Sequence, residues 1–134
     1  MKAWYFSESD KKLGHNDGRL IRAGITHKIK GPLLLCKYGL HGSVKILDAL
    51  RYAESPIIWR VELGGEILKG NDKACATERK YLWGYDATMV LRKFARICAL
   101  DVIRLWNAPE VVVQYLKTGD EKIREAAWAA AWAA

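Results

Sequence analysis

The sequence predicts an α+β fold: a small, mostly antiparallel sheet with one helix, followed by a C-terminal layer of about three helices. Three observations predict it. Before Gly84 apolar residues alternate with period two, most clearly at Ile57, Trp59, Val61 and Leu63. After Gly84 their spacing lengthens to three and four, as at Val90, Leu91, Phe94, Cys98, Val102 and Leu105. Glycine, asparagine and aspartate break up the first stretch at short intervals, whereas the second is interrupted only around Pro109 and Gly119. Residues 1–85 therefore read as an α+β domain and residues 86–134 as a helical region.

Taken in order, Lys2–Ser7 is short and aromatic and suits a first strand. Asp10–Gly18 is a polar loop, and Arg19–Lys30 is a half-buried strand carrying Ile25, Thr26 and Ile29. After Gly31-Pro32, the apolar run Leu33–Lys37 reads as a strand and Tyr38–Gly42 as a tight turn. Ser43 is placed to cap a helix over Val44–Ala53, where Val44, Leu47, Leu50 and Ala53 recur three apart. Ile57–Leu63 is the clearest strand. Gly64-Gly65 predicts a turn into Glu66–Lys69, Gly70-Asn71-Asp72 a second turn, and Ala74–Trp83 a last strand.

Asp86 is positioned to cap a helix over Ala87–Trp106. Pro109 opens a short helix that Gly119 stops, and Asp120 caps a third from Glu121 to the end. In that helix Trp128 and Trp132 form a ridge at i and i+4, with Arg124 one turn earlier and able to stack on Trp128. The Ala/Trp pattern also suits the start of a longer repeat array. A helix this short is marginal alone, so the ridge is expected to dock, with the 86–106 helix as the nearest surface. An exposed ridge would instead serve self-association or partner capture.

Composition narrows the function. With 51% hydrophobic and 28% charged residues the chain is globular, and it contains no apolar run long enough to span a membrane. The sequence shows no secretory leader, which suggests a cytoplasmic protein. Net charge is +7, with +6 in residues 1–60 and +1 in residues 61–134. That asymmetry suits either attraction to nucleic acid or an acidic protein surface, or simply a solvated basic face. Lys28, Lys30, Lys37, Arg51 and Arg60 are the basic candidates for such binding, and Trp128 and Trp132 the aromatic ones. Strand aromatics between Lys2, Arg60, Arg79 and Lys80 suit base stacking or a core.

Cys36, Cys75 and Cys98 lie far apart and read as free thiols, with Cys36 and Cys98 buried in apolar segments. A zinc site from Cys36, His41 and Cys75 lacks a fourth ligand and a familiar spacing. The chain contains no P-loop, no GxGxxG and no Ser-His-Asp order. His41, between Gly39 and Gly42, reads either as a ligand-facing imidazole or as a turn histidine bonded to backbone. Tyr52 either edges a pocket or packs in the core, and Glu78 either acts as an acid or pairs at the surface.

Residues Leu35–Ser43, Asp48–Ala53, Trp59–Ile67 and Gly70–Arg79 resemble an uncharacterised family of small bacteriophage and prophage proteins. Members often carry Ala-rich tails with spaced Trp, and residues 124–134 look like the start of one. The resemblance implies a phage-encoded accessory protein that binds a host macromolecule, plausibly a defence factor, in the host cytoplasm and without a cofactor. The order Gly39-Leu40-His41, then Asp48–Ala53, then Ile58–Val61 is also similar to ADP-ribosyltransferases of the diphtheria-toxin type. That likeness implies NAD as cofactor, an aromatic clamp of His41 and Tyr52, and Glu78 as the acid. Trp4-Tyr5-Phe6-Ser7 stands where those enzymes carry a His-Gly pair.

Overall fold

A computed structural model describes residues 1–134. The protein is α+β and divides into two compact units, Met1–Ala87 and Thr88–Ala134. The first unit contains β1 (Lys2–Phe6), β2 (Thr26–Lys28), β3 (Leu40–Gly42), α1 (Ile46–Leu50), β4 (Ile57–Lys69) and β5 (Ala74–Asp86).

Its scaffold is the long antiparallel hairpin of β4 and β5, turned by the Gly70-Asn71-Asp72 segment. β1 pairs with the outer edge of β4, and β2 and β3 lie end to end along the outer edge of β5. Just past β3, Ser43 and Trp4 exchange two backbone hydrogen bonds of 2.7 and 2.9 Å. The path β1-β4-β5-β3 therefore closes into a ring. Its inner face holds Ala3, Leu40, Trp59, Val61, Leu63, Ala76 and Tyr81, all buried. Full burial of a large apolar side chain contributes about 1.5–3 kcal/mol. Inside this core the indole N–H of Trp59 donates to Ser7 Oγ at 3.0 Å, which satisfies its one polar group.

Several local expectations are corrected. The strand expected over Arg19–Lys30 is only Thr26–Lys28, and its buried residue is His27. Leu33–Lys37 is not a strand. Leu34 and Tyr38 pair across a tight turn in which Cys36 takes a left-handed φ of 69°. Tyr38–Gly42, expected as a turn, instead contains β3.

Ser43 does not cap a helix, because its backbone is engaged with Trp4. α1 begins three residues later and buries only Ala49, leaving Val44 and Leu47 exposed. β4 passes through Gly64-Gly65 without reversing. A register shift between Gly64 and Ile67 absorbs the glycine pair, with Gly65 at φ 66°. Cys75 is the buried thiol, whereas Cys36 and Cys98 are exposed.

The second unit comprises α2 (Thr88–Val102), a 3-10 turn over Ile103–Leu105, α3 (Glu110–Thr118) and α4 (Glu121–Ala133). Gly119 closes α3 in the left-handed conformation at φ 67°, and Asp120 accepts the Lys122 N–H at 3.0 Å to cap α4. α4 packs along α3, and the buried residues are Val112 of α3 and Ala127 of α4.

The Trp ridge is therefore not docked. Trp128 and Trp132 are 64% and 75% exposed and pack on each other with centroids 5.7 Å apart. Ala127 is the residue that α4 buries, and the ridge beside it stays in solvent. Arg124 reaches Glu121 at 4.0 Å instead of stacking on Trp128.

Candidate functional site

The first unit contains a cavity of about 500 Å³ between β1, β3 and the loops around residues 13–17 and 36–39. Arg79 of β5, Tyr5 of β1 and His41 of β3 form part of its wall, and Tyr38, Tyr52 and Lys73 are also among its lining residues. Strand register explains the inner placement. Arg79 shares a face with Tyr81, two residues on, and pairs with the core residue Leu63 of β4.

Arg79 is only 2% exposed. Its guanidinium lies 3.7 Å from the Tyr5 ring centroid. Nε donates to the Tyr81 hydroxyl at 2.9 Å, and Nη1 donates to the His41 carbonyl at 2.6 Å. No carboxylate lies within 4.0 Å of it, since the chain's ion pairs involve Arg19, Lys28, Arg92 and Arg124. A buried cation without an anionic partner is costly, and here two neutral acceptors and an aromatic face offset only part of that cost.

Other groups respond to the same burial. The Tyr81 phenol is pushed up by desolvation, against the opposing effect of Arg79. Burial lowers His27 and His41, helped at His41 by the Lys73 ammonium. Lys73 is raised, chiefly by its hydrogen bond to the Cys36 side chain.

The residues suggested by the transferase likeness separate. His41 and Tyr52 both line the cavity, but each is already engaged. His41 Nε2 accepts the Cys36 N–H at 3.2 Å and so braces the left-handed turn. The Tyr52 hydroxyl donates to Asp72, and Lys73 Nζ lies 4.1 Å from the Tyr52 ring centroid. Glu78 does not line the cavity. It follows the opposite phase of β5 from Arg79 and pairs with Lys28 at 3.4 Å.

The basic candidates do not act alike. Lys28 is held by Glu78, and Lys37 lines the cavity. Lys30 is exposed, as is Arg51 at the end of α1. Arg60 stacks on Trp4 at 4.5 Å, with Nη1 buried and without a hydrogen bond.

Arg79 is the buried cation of the cavity wall that sequence reasoning does not single out, because the pattern groups it with the other cations interleaved among strand aromatics. Its phase with Tyr81 was the available signal. The chain assembles no cluster of three or more His, Cys, Asp or Glu able to hold a metal ion.

The helical unit presents a different surface. α2 buries none of its residues, and Met89, Val90, Phe94, Ile97 and Val102 are all exposed. Exposed Lys93 lies beside this apolar face. No helix is long and apolar enough to cross a membrane.

Comparison with protein families, with curated proteins and with solved structures found no match for the chain.

Proposed function

We propose that the protein acts by binding a protein of a bacterial host through its helical unit, as a phage- or prophage-encoded accessory factor. One observation carries this reading: α2 is a 15-residue amphipathic helix with no buried residue. An apolar face of this size left in water is unfavourable, and covering it by a partner recovers that free energy. Trp128 and Trp132 add exposed aromatic area of the kind that anchors protein interfaces.

Charge favours a foreign partner over a second copy. α2 carries Arg92, Lys93 and Arg96 against one acid, Asp101, so an apolar patch with an acidic rim is the better complement. The phage-family resemblance is what points to a host protein, with defence factors the natural class. The transferase reading has less support, because Glu78 stands away from the cavity that His41 and Tyr52 line. The nucleic-acid reading has less support as well, since Lys28 and Arg60 are already engaged.

The test is affinity capture from host lysate with the full chain, beside a variant carrying Phe94→Glu and Ile97→Glu. Light scattering should report a monomer, and the wild type should retain a stoichiometric partner that the variant loses. A stable wild-type dimer, or capture that the double variant leaves unchanged, would overturn the proposal.

A further inference from the structure

We infer that the cavity walled by Arg79 binds the oxyanion of a small organic ligand, a phosphate monoester or a carboxylate. This site lies in the first unit and does not depend on the helical surface proposed above.

The argument begins with charge. Arg79 is nearly fully buried, yet it lines the cavity and has no carboxylate within ion-pair distance. Its cation is therefore desolvated without an anion to compensate it. Orientation is already set. Tyr81 holds Nε, the His41 carbonyl holds one proton of Nη1, and Tyr5 covers a face of the guanidinium plane. Nη2 and the second Nη1 proton are left to serve a ligand. An oxyanion accepting from them pays little ordering cost, because the fork does not have to move.

Size then restricts the ligand. About 500 Å³ falls within the range of small-molecule sites and far exceeds one phosphate ion, so the anion belongs to an organic body. Lys37 and Lys73 also line the cavity and add positive potential, while the lining acids Glu8, Asp17 and Glu54 are exposed to water and Asp17 is already paired with Arg19. A neutral ligand of the same shape would leave Arg79 uncompensated.

The experiment uses the full chain with phenyl phosphate, benzoate, inorganic phosphate and neutral benzamide. Cys36 is exposed and lines the cavity, so its alkylation by iodoacetamide, mapped by mass spectrometry, reports occupancy. Exposed Cys98 is the internal control. Phenyl phosphate or benzoate should raise Tm saturably and slow Cys36 alkylation about tenfold at about ten times Kd, with Cys98 unchanged.

The stronger of the two identifies the oxyanion as phosphate or carboxylate, and Arg79→Gln should abolish both effects. If Arg79→Gln does not fold, the wild-type Cys36 protection decides alone. Protection by neither organic anion would overturn the inference. So would equal protection by benzamide, by inorganic phosphate alone, or in a folded Arg79→Gln protein.

Discussion

His27 Nδ1 lies 2.9 Å from the Tyr81 hydroxyl, and the direction of that hydrogen bond can be deduced. The Leu20 carbonyl can only accept, so the proton of the neutral His27 ring sits on Nε2 and donates to it at 3.1 Å, which leaves Nδ1 as an acceptor. The Tyr81 hydroxyl therefore donates to Nδ1, while its oxygen accepts from Arg79 Nε. The relay runs one way, from guanidinium to phenol to a neutral imidazole. Tyr81→Phe removes its middle and leaves two buried nitrogens unpaired. The expected loss is about 1–3 kcal/mol, read from the urea midpoint. An unchanged midpoint would show that water replaces the hydroxyl.

The two desolvated imidazoles, His27 and His41, predict a pH dependence. Burial lowers both His27 and His41, so each binds its proton less readily folded than unfolded. As pH falls below the ordinary imidazole value of about 6.5, the unfolded chain takes up more protons and stability declines. The decline continues until pH passes below the lowered folded-state values. Stability measured from about pH 8 to about pH 5 should therefore fall on the acid side. His41→Gln, which keeps an acceptor for the Cys36 N–H, should make the slope shallower. A flat profile in the wild type contradicts both lowered imidazoles.

Gly84 faces Trp59 across the β4–β5 ladder. A Cβ there would stand 2.5–2.8 Å from three carbons of the indole ring. Trp59 cannot retreat readily, because it is buried and its N–H is held by Ser7. Gly84→Ala should cost about 1–3 kcal/mol through overpacking, seen as a lower Tm. A neutral result would mean that the hairpin shifts to make room.

Trp128 and Trp132 should contribute little to folding despite their size. They are 64% and 75% exposed, so replacing either with alanine should change stability by about 0.5 kcal/mol or less. Ala127→Leu should be the damaging change in α4, because it adds volume at a buried site. Thermal melts of the three variants separate these outcomes.

The hairpin's alternation was legible because Trp59, Val61 and Leu63 repeat an apolar phase that the fold buries without exception. Pro109, Gly119 and Asp120 likewise located α3 and α4, since backbone conformation and capping there are local chemistry. Leu33–Lys37 misled because its apolar residues serve glycines. Leu33 lies against Gly39 and Leu35 against Gly70, contacts set by distant backbone rather than by a strand's own period. Val44–Ala53 misled because three-residue spacing is shared by a long helix and by a short turn with exposed apolar residues. Of the cavity, His41 and Tyr52 were found, whereas Arg79 was not. A cation's burial depends on partners 38 residues upstream at His41 and farther still at Tyr5, and no local pattern records them.

The closure between Ser43 and Trp4 bears on how this protein can associate. A strand with open amide and carbonyl groups invites another chain to extend the sheet, and β1 would otherwise offer that template. Ser43 takes the outward N–H and C=O of Trp4 at the middle of β1, so the strand no longer offers a continuous row of open groups. β2, along β5, is only three residues long and ends in Lys28, which is a poor platform for strand addition. This disfavours recruitment of a second molecule by strand addition relative to recruitment through side chains. Its specificity then lies in shape and charge, and the fold resists the edge-to-edge polymerisation that threatens small sheets.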